Sequence, residues 1–400
     1  MIHHSIQLIE LFATLGTLSS VGYYTICLAG AARFLQDRKR ADMPVLSGAE
    51  GSVRSTQHLP LISILKPLKG TDPEMYESFR SHCLLDYPEY EIIFGVSEAD
   101  DPAVELVHRL QTEFPDRAIQ LVVCSRNLGA NRKVSNLAQM LPSARYDHLI
   151  VNDSDIRVEP DYLQRVIAPL SEPEVGMVTC LYRGVPGKTL GSRLESLGIS
   201  ADFSGGVLSA REVEKGIHFA LGSTLAFRRS DLQTIGGFEA VVDYLADDYE
   251  LGQRMSARGL QVKLSEVVVE TFLPPYKFRE YFDHQLRWAR SVRDARPWGY
   301  LGVILTFGVP WALLVLASIR GTYWAWGLAI AAVIMRMTVA LVVGRIVLKD
   351  RYVLPWLALV PIRDLVAMAV WIASFAGHTV EWRGTSFTLK DGKLAKVAAD

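Results

Sequence analysis

Long apolar segments at both ends of the chain restrict its fold more than any other feature. Residues 6–28 are apolar except for Glu10 and small hydroxyl side chains, and residues 301–319 and 324–348 form two further apolar runs. Each run is long enough for a helix that crosses a hydrocarbon layer about 30 Å thick. Half of the 400 residues are hydrophobic, which agrees with a multi-pass membrane protein.

The distribution of basic residues predicts how the chain is oriented. Four basic residues follow the first apolar run, at positions 33, 38, 39 and 40, and none precedes it. By the positive-inside rule, the amino terminus lies outside and the following residues are cytoplasmic. A cleaved signal peptide is the alternative, but its basic residues would precede the apolar run. We therefore predict an uncleaved anchor over residues 1–32 and a polar linker over residues 33–58.

The carboxyl-terminal third returns to the membrane. Basic residues flank both apolar runs and predict a hairpin with both ends inside. Two prolines and the adjacent Arg363 and Asp364 divide residues 354–377, and the part after them is shorter than the ~17 residues that a spanning helix needs. We predict a re-entrant or in-plane helix pair there, within a membrane region over residues 299–378. A cytoplasmic tail over residues 379–400 would follow; a true third span would place that tail outside.

The middle of the chain, residues 59–298, alternates short apolar runs with amphipathic ones. The apolar runs predict strands at residues 61–65, 90–96, 119–123 and 148–152, and the amphipathic runs predict helices at residues 74–85, 102–114 and 133–141. Strand–helix–strand repeats at this spacing predict a mainly parallel sheet in an α/β, Rossmann-like domain. Ligands of such a sheet bind beyond the carboxyl ends of its strands.

Charged residues follow each of these four strands. In strand order they are Lys66; Glu98, Asp100 and Asp101; Arg132 and Lys133; and Asp153 and Asp155. Any one of these loops is equally well an ordinary solvated turn. Together they predict a site for a charged nucleotide, with basic side chains facing phosphates and carboxylates holding a divalent cation, Mn²⁺ or Mg²⁺.

Several other functions have no support in the sequence. There is no GxGxxG or GxxxxGK[ST] motif, so dinucleotide and P-loop binding are not indicated. A formal net charge of −1 gives no general attraction for nucleic acid. The four cysteines are scattered, which indicates reduced thiols and a cytosolic working face.

Two later segments carry further candidates. Acids at positions 247, 248 and 250 stand where a helix begins; they either complement the helix dipole or supply a carboxylate that accepts a proton from an attacking hydroxyl. A predicted helix over residues 278–290 contains His284, Arg287 and Trp288. The glycine-rich residues 187–214 are interpreted as core or as a place where an acceptor is held.

Six motifs in this order resemble the ceramide glucosyltransferase family of membrane glycosyltransferases. They are Leu65-Lys66-Pro67-Leu68-Lys69-Gly70, Asp100-Asp101-Pro102, residues 152–158, Ala246-Asp247-Asp248-Tyr249, Arg287-Trp288 and Trp382-Arg383-Gly384. The resemblance covers nearly the whole chain. It implies a GT-A fold, a UDP-sugar donor, a divalent cation, a membrane lipid acceptor and inversion at the anomeric carbon.

The resemblance also assigns roles to individual residues. Glu98 stands where the family usually has the aspartate of its first acidic motif, so either Glu98 or Asp100 is expected to contact uridine. Asp153 is the second acid, and Asp155 completes a metal-binding pair with it. Asp248 is the third acid, expected to be the general base.

The remaining donor-binding assignments include one departure from the family pattern. Lys66, Lys133, Arg287 and Trp288 are expected at the donor, but His284 stands where the family has Gln or Arg. It is expected either to bind the diphosphate or to be a histidine on the helix surface.

A related bacterial branch, whose enzymes add N-acetylglucosamine to hopanoid lipids, resembles the chain too, and the motifs do not separate the two. The intact Asp153-Ser154-Asp155, the long segment 187–214 and the form of the apolar runs slightly favour this branch or a bacterial glycolipid relative, which implies a bacterial inner membrane. A processive polysaccharide synthase, a polyprenyl-phosphate glycosyltransferase and a non-enzymatic membrane scaffold remain alternatives.

Overall fold

The computed structural model describes residues 2–43, 59–319, 322–382 and 385–396. Most of the predicted linker therefore lies outside the described residues, as do Arg383 and Gly384 of the tail motif.

A mixed, mainly parallel sheet of eight strands forms the centre of the protein. Its strands are β1 (Ile62–Leu68), β2 (Tyr90–Val96), β3 (Ala118–Val123), β4 (His148–Val151), β5 (Ile156–Arg157), β6 (Val175–Val185), β7 (Leu225–Arg228) and β8 (Gln261–Phe272). They lie side by side in the order β3-β2-β1-β4-β7-β6-β8-β5. Strands β3, β2, β1 and β4 are mutually parallel, as are β6 and β8, whereas β7 and β5 are antiparallel to their neighbours. The predicted mixed, mainly parallel sheet is confirmed.

Helices cover both faces of this sheet and continue into the membrane region. They are α1 (Ile2–Asp42), α2 (Met75–Cys83), α3 (Ala103–Glu113), α4 (Arg132–Met140), α5 (Tyr162–Ile167), α6 (Leu190–Gly198), α7 (Ser204–Val213), α8 (Arg229–Thr234), α9 (Asp247–Ala257), α10 (Phe278–Ala295), α11 (Pro297–Gly302), α12 (Gly308–Ser318), α13 (Tyr323–Val339), α14 (Val353–Trp356) and α15 (Val360–Ser374). Helices α2, α3 and α5 pack on one face of the sheet, and α4 and α9 pack on the other.

Alternation of side chains along the central strands builds both halves of the core. On β1, Ile64 packs with the α2 side while the next residue, Leu65, packs with the α4 side. Successive side chains of a strand point to opposite faces, so a continuous apolar run is what a sheet covered on both faces requires. The same run brings Lys66 to the carboxyl end of β1 and Asp153 just beyond β4.

Most of residues 187–214, for which no helix was predicted, form one long helical segment. Helix α6 passes through a π-helical turn, Ile199–Phe203, directly into α7. Glycines lower helix propensity and hid this segment from sequence analysis. Close packing explains them: a Cβ on Gly191 would lie 2.6 Å from the Tyr276 carbonyl oxygen, and one on Gly198 would lie 3.0 Å from the Arg363 guanidinium.

The amino-terminal helix is longer than the predicted anchor. Helix α1 continues past residue 32 and ends at Asp42. Its last turns are held by the domain of the large sheet, because Arg38 donates to the Glu266 carbonyl at 3.1 Å and Asp42 pairs with Arg165 at 3.0 Å. The first ten residues of the predicted linker are therefore a rigid connection to the sheet.

Three described helical segments are long and apolar enough to cross a membrane. They are Ile6–Asp42, Tyr323–Val347 and Val353–Ser374. A fourth candidate, Pro297–Thr306 followed by Gly308–Ser318, is bent by 54° between its two parts.

Residues 353–374, where a divided helix pair was predicted, form α14, a 3-10 turn (Leu357–Leu359) and α15 in one helical segment. Its prolines stand near the starts of α14 and α15, where a missing backbone N–H costs little. The charges that interrupted the sequence pattern are paired inside the protein. Arg336 binds Asp364 with two contacts of 2.7 Å, and Arg363 binds Asp202.

The tail forms a small antiparallel sheet on the domain of the large sheet. Its strands are β9 (Thr379–Trp382), β10 (Thr385–Lys390) and β11 (Lys393–Lys396). Leu394 donates to the Asp243 carbonyl at 2.7 Å, and Leu245 donates to the Gly392 carbonyl at 3.2 Å. The tail and the large sheet therefore lie on the same side of the membrane helices.

Candidate active site

The loop after β4 carries two carboxylates on a rigid, buried base. Asn152, fully buried, donates to the Ser223 carbonyl at 2.7 Å and to the Tyr162 hydroxyl at 2.9 Å. Its side-chain oxygen faces the ring of buried His82 at 3.3 Å. These contacts join α2, β4 and α5 beneath Asp153 and Asp155. Because each buried polar atom of Asn152 has a partner, the network holds the loop in one position.

Lys133 joins the loop after β4 to the start of α9. Its ammonium lies 2.8 Å from Asp153 Oδ1 and 3.2 Å from Asp247 Oδ2. Burial lowers the pKa of Lys133, but Asp153, Asp247 and Asp248 outweigh burial and raise the pKa above its ordinary value. Lys133 is therefore a permanent positive charge at the carboxyl edge of the sheet.

Asp248 faces Asp153 across Gly222. A Cβ on Gly222 would lie 3.2 Å from Asp153 Oδ2 and 3.2 Å from Asp248 Oδ2. The two oxygens are thus no farther apart than twice that distance. Burial and the neighbouring Asp247 carboxylate raise the pKa of Asp248 to about 6, whereas Lys133 lowers it. Such a carboxylate is ionised at neutral pH and is more basic than an ordinary aspartate.

Asp155 lies on the other side of the same loop. The Thr271 hydroxyl, near the end of β8, donates to Asp155 Oδ2, and Ser78 donates to the Asp155 carbonyl at 3.2 Å. Burial and the nearby Asp153 carboxylate raise the pKa of Asp155 to about 6. The repulsion between the Asp153 and Asp155 carboxylates destabilises the site, and a bound cation would relieve it.

Lys66 supports this loop from below. Its side chain is fully buried and donates to the Asp153 carbonyl at 2.9 Å. Burial lowers the pKa of Lys66 to about 7, against the opposing effects of Asp155 and Asp153. Lys66, which was expected to face a phosphate, donates instead to the backbone carbonyl of Asp153 and holds the loop after β4 in position.

The α10 residues lie beside the π-helical turn. His284 stacks on Tyr276 with ring centroids 5.3 Å apart, and its Nδ1 lies 3.5 Å from Glu195 Oε1. Trp288, 41% exposed, meets Phe203 of the π-turn edge-on at 6.2 Å. His284 is thus part of a packed polar cluster with Glu195, and not an isolated surface histidine.

Arg287 belongs to the same face of the site. Its charge lowers the pKa of Tyr276, while burial, Glu195, Asp155 and Asp72 raise that pKa to about 12 overall. Arg287 is therefore close to Tyr276, which is itself close to Asp155.

The first acidic motif lies in the loop between β2 and α3. Glu98 and Asp100 are exposed, as a residue reserved for a ligand would be. Asp101 has a structural role, because its carboxylate accepts from the Gly70 amide at 3.0 Å and from the Ala103 amide at 2.9 Å. It fixes the β1 and β2 loops to each other at the carboxyl edge.

The donor set fits a hard divalent cation only with help from a ligand. Asp153 and Asp155 supply carboxylate oxygens, but the described residues contain no group of three His, Cys, Asp or Glu side chains arranged around one point. Mg²⁺-type ions are commonly held by one or two carboxylates, with substrate phosphates and water completing the shell. The residues present fit that arrangement.

Sequence analysis missed several residues of this site. Gly222 lies between Asp153 and Asp248, and Asp247 contacts Lys133. Glu195 and Phe203 contact His284 and Trp288 of α10. Asp247 was one of the acids noted at the start of the predicted helix, but no separate role was predicted for it. Glu195 and Phe203 lie in residues 187–214, interpreted as core or as an acceptor region, and no pattern around Gly222 indicated the site.

The mixed, mainly parallel sheet, with acids beyond its strand ends and candidate membrane helices on both sides of it in the sequence, has the GT-A fold. The chain belongs to glycosyl transferase family 21, whose sequence pattern matches residues 12–395. The resemblance to the ceramide glucosyltransferase family is thereby confirmed.

Two curated relatives come from *Caenorhabditis elegans*. Ceramide glucosyltransferase 3 is 24% identical over 353 residues, 85% of this chain and 75% of that protein. Ceramide glucosyltransferase 1 is 26% identical over 52% of this chain, but the match spans only 44% of that protein. One similar solved structure is the mannosyltransferase PcManGT from Pyrobaculum calidifontis in complex with GDP-Man and Mn²⁺. Its TM-score to this chain is 0.50, at 18% sequence identity. That match covers 92% of this chain and 99% of the other, and it supports the fold.

Proposed function

We propose that this protein transfers glucose or N-acetylglucosamine, with inversion, from a UDP-sugar to a hydroxyl of a membrane lipid such as ceramide or a hopanoid. The observation that carries the proposal is the pair of carboxylates on either side of Gly222. Asp153 belongs to the loop expected to contact the donor, and Asp248 is a carboxylate with a pKa near 6. A donor contact and a base that face one point are what a direct displacement requires.

Asp248 takes the proton in this mechanism. The acceptor oxygen attacks the anomeric carbon from the face opposite the diphosphate, and Asp248 accepts the proton of its hydroxyl. Its raised pKa makes it a better base than an ordinary aspartate while leaving it ionised at neutral pH. Tyr249 donates its amide to Asp248 Oδ1 at 2.8 Å, which orients the carboxylate.

Fixed positive charges receive the departing UDP. Lys133 remains protonated among three carboxylates, and Arg287 is aligned on α10 beside Tyr276. These cations stabilise negative charge that develops on the diphosphate as the glycosidic bond breaks. Glu98 or Asp100, both exposed in the β2–α3 loop, is assigned to uridine.

Asp155 and Asp153 would hold the divalent cation, Mn²⁺ or Mg²⁺. When bound, such a cation offsets charge on the diphosphate leaving group. The raised pKa of Asp155 is consistent with this role, because crowded carboxylates favour a cation at neutral pH.

The acceptor is assigned to the junction between the π-turn and the membrane helices. The segment α6–α7 packs on α1 closely enough that a Cβ on Gly30 would lie 2.6 Å from the Leu208 carbonyl. Phe203, on the π-turn, meets exposed Trp288 at the mouth of the site. The bilayer confines the lipid to two dimensions, so the lipid needs to present only its hydroxyl to the site. Two relatives whose names specify ceramide glucosyltransferases support this acceptor class.

The membrane topology follows from the position of the tail. Because β11 binds the loop before Asp247, the chain must cross the membrane an even number of times between residues 297 and 374. Three helical segments lie in that interval, so at least one of them does not cross. We assign the bent segment, Pro297–Ser318, as the re-entrant one, with the catalytic domain and tail in the cytoplasm of a bacterial cell.

The test is a matrix of two donors and two acceptors with purified protein in lipid. UDP-glucose and UDP-N-acetylglucosamine are each incubated with ceramide and with a hopanoid polyol, and the products are weighed by mass spectrometry. Asp248→Asn should abolish transfer while UDP binding, measured by calorimetry, stays within a few-fold of the parent. Asp243→Asn, on the same side of the site but outside the proposed machinery, is the matched control. Normal turnover by Asp248→Asn would remove the base assignment.

The same matrix separates the alternatives. A processive synthase would release polymers without either lipid, and a polyprenyl-phosphate transferase would glycosylate only an added polyprenyl phosphate. Chelation tests the cation separately: EDTA should stop transfer and Mn²⁺ or Mg²⁺ should restore it. Transfer that is indifferent to EDTA would exclude the role proposed for Asp155.

A further inference from the structure

A polar cavity lies away from the acidic centre, where the sheet meets the loop between two membrane helices. Its volume is about 480 Å³. One wall is formed by the β5, β6 and β8 ends, including Arg157, and the other by the loop Lys349–Tyr352. None of the acids of the candidate active site lines it. The cavity is within the size range of sites for small ligands.

The position of the loop fixes where this cavity lies relative to the bilayer. Lys349 directly follows the candidate span Tyr323–Val347, and the candidate span Val353–Ser374 starts after Tyr352. The cavity therefore opens at the membrane surface, on the side of the catalytic domain.

Two of the four carboxylates that line the cavity, Glu270 and Asp350, accept hydrogen bonds from the protein. Arg183 pairs with Glu270 at 2.9 Å. Arg157 of β5 also lies opposite Glu270 in the pairing of β5 with β8. Asp350 accepts from the Ser200 hydroxyl at 2.6 Å and from the Tyr352 amide at 2.7 Å. Among the described residues, Glu270 is therefore paired with Arg183, whereas Asp350 keeps its negative charge because both of its donors are neutral.

Three lining cations keep their charge available. Arg157 and Lys349 are exposed, and Arg351 lies along the Tyr352 ring, donating to its hydroxyl at 2.8 Å. No ion pair joins any of the three to a carboxylate among the residues that the structure describes. The whole lining has five cations (Arg80, Arg157, Arg183, Lys349 and Arg351) and four carboxylates (Glu77, Glu159, Glu270 and Asp350), so the cavity carries one net positive charge.

The backbone holds one of these cations in a strained conformation. Lys349 has a φ of 55°, a left-handed value that residues other than glycine rarely adopt. The turn is anchored because Arg183 donates to the Leu348 carbonyl at 2.9 Å and the Asp350 amide donates to the Gly344 carbonyl at 2.9 Å. A strained residue kept in place by its surroundings at a charged cavity is a common feature of binding sites.

We propose that this cavity binds the phosphate group of an anionic phospholipid from the adjoining bilayer leaflet. Arg157, Lys349 and Arg351 would donate to the phosphate oxygens, with the lipid chains remaining beside the two membrane helices. Basic pockets between membrane helices on this side of a bilayer are suited to anionic head groups. The site is separate from the donor and acceptor sites, so the proposal does not depend on the function proposed above.

The test measures lipid binding to the full-length protein in neutral detergent by native mass spectrometry. Phosphatidylglycerol is titrated against phosphatidylcholine, and inorganic phosphate is titrated separately. We expect phosphatidylglycerol to be retained in preference to phosphatidylcholine. In the double variant Lys349→Gln/Arg351→Gln its affinity should fall about 30-fold, the loss expected for two cations at an anionic surface.

Two further variants make the result decisive. Arg157→Gln, on the opposite wall, should also weaken phosphatidylglycerol binding. Because the Arg157 side chain is exposed, the substitution should leave the fold intact, and misfolding would not account for the loss of binding. Arg345→Gln removes an exposed cation at the same helix end that does not line the cavity, and should leave binding unchanged. Equal binding by the parent and the double variant, or equal loss in Arg345→Gln, would overturn the proposal. Binding of inorganic phosphate without phosphatidylglycerol would assign the cavity to a soluble phosphate and overturn the lipid assignment.

Discussion

Replacing Gly222 with alanine tests whether Asp153 and Asp248 act on the same point in space. The added methyl group would lie 3.2 Å from one carboxylate oxygen of each residue. That separation is shorter than a carbon and an oxygen normally adopt without a hydrogen bond, so both carboxylates must move by a few tenths of an ångström. No charge, hydrogen bond or backbone donor is removed by the substitution.

The magnitude follows from the steep dependence of catalysis on position. A misplacement of about 1 Å costs about 100-fold in rate. A shift of a few tenths of an ångström in the donor contact and the base together should then lower kcat by about tenfold. Carboxylates at the edge of a cavity can rotate away from the methyl group, so the melting temperature should change by only a few degrees.

The assay is transfer of radiolabelled sugar from the donor to lipid, with kcat and KM measured separately. The expected result is a fall in kcat with a smaller change in the KM of the donor, because Lys133 and Arg287 are untouched. Gly299→Ala is the control, since its Cβ would make only ordinary contacts, at 3.7 Å and beyond. A kcat for Gly222→Ala within twofold of the parent, alongside an inactive Asp248→Asn, would refute the idea that both carboxylates serve one reacting centre.

The other predictions concern pH, topology and the tail. With a pKa near 6, Asp248 should make kcat fall tenfold per pH unit below about pH 6 and stay level above it, and a level profile down to pH 4.5 would contradict its role as base. Because folding raises the pKa of Asp248, its ionisation destabilises the fold as pH rises from about 4 to 6. Asp248→Asn should therefore raise the melting temperature at pH 8 but not at pH 4, and a lower melting temperature at pH 8 would contradict the raised pKa. Ser171→Cys and Ser386→Cys, both exposed, should react with a membrane-impermeant maleimide from the same face of sealed vesicles, against a low background from the four buried native cysteines; reaction from opposite faces would overturn the even number of crossings. Arg293→Gln should free the tail sheet, because buried Arg293 holds the Ser374 and Gly377 carbonyls, and should speed proteolysis after residue 378 and lower kcat; unchanged proteolysis would contradict this anchoring role.

Local patterns in the sequence determined a large part of the fold. Strands β1 to β4 are short apolar runs whose boundaries were predicted within three residues. Burial on both faces gives β1 and β2 their strong local signal, whereas the edge strand β3 is only partly buried. The charged residues after each strand were predicted to share one edge, and Lys133, Asp153 and Lys66 do meet there. Parallel strands connected by helices permit no other arrangement of those ends.

The helix α6–α7 was not predictable because its glycines serve contacts made elsewhere in the chain. Gly191 and Gly198 are required by the Tyr276 carbonyl and by Arg363, which are far away in sequence. The same holds for residues 353–374, where charges that interrupt the pattern pair with partners on other helices. In both segments a long-range contact outweighs the local propensity.

The acidic centre shows the same division between sequence and tertiary structure. Sequence by itself supplied the residue types: three acidic motifs, the basic residues around them, and a resemblance that assigned each motif a role. Only the tertiary structure decided that Lys133 joins Asp153 to Asp247, that Asp248 faces Asp153 across Gly222, and that the tail lies against the loop before Asp247. The physical reason is that strand periodicity is a property of neighbouring residues. The distance between two carboxylates, and hence their pKa values, depends on how segments nearly 100 residues apart pack together.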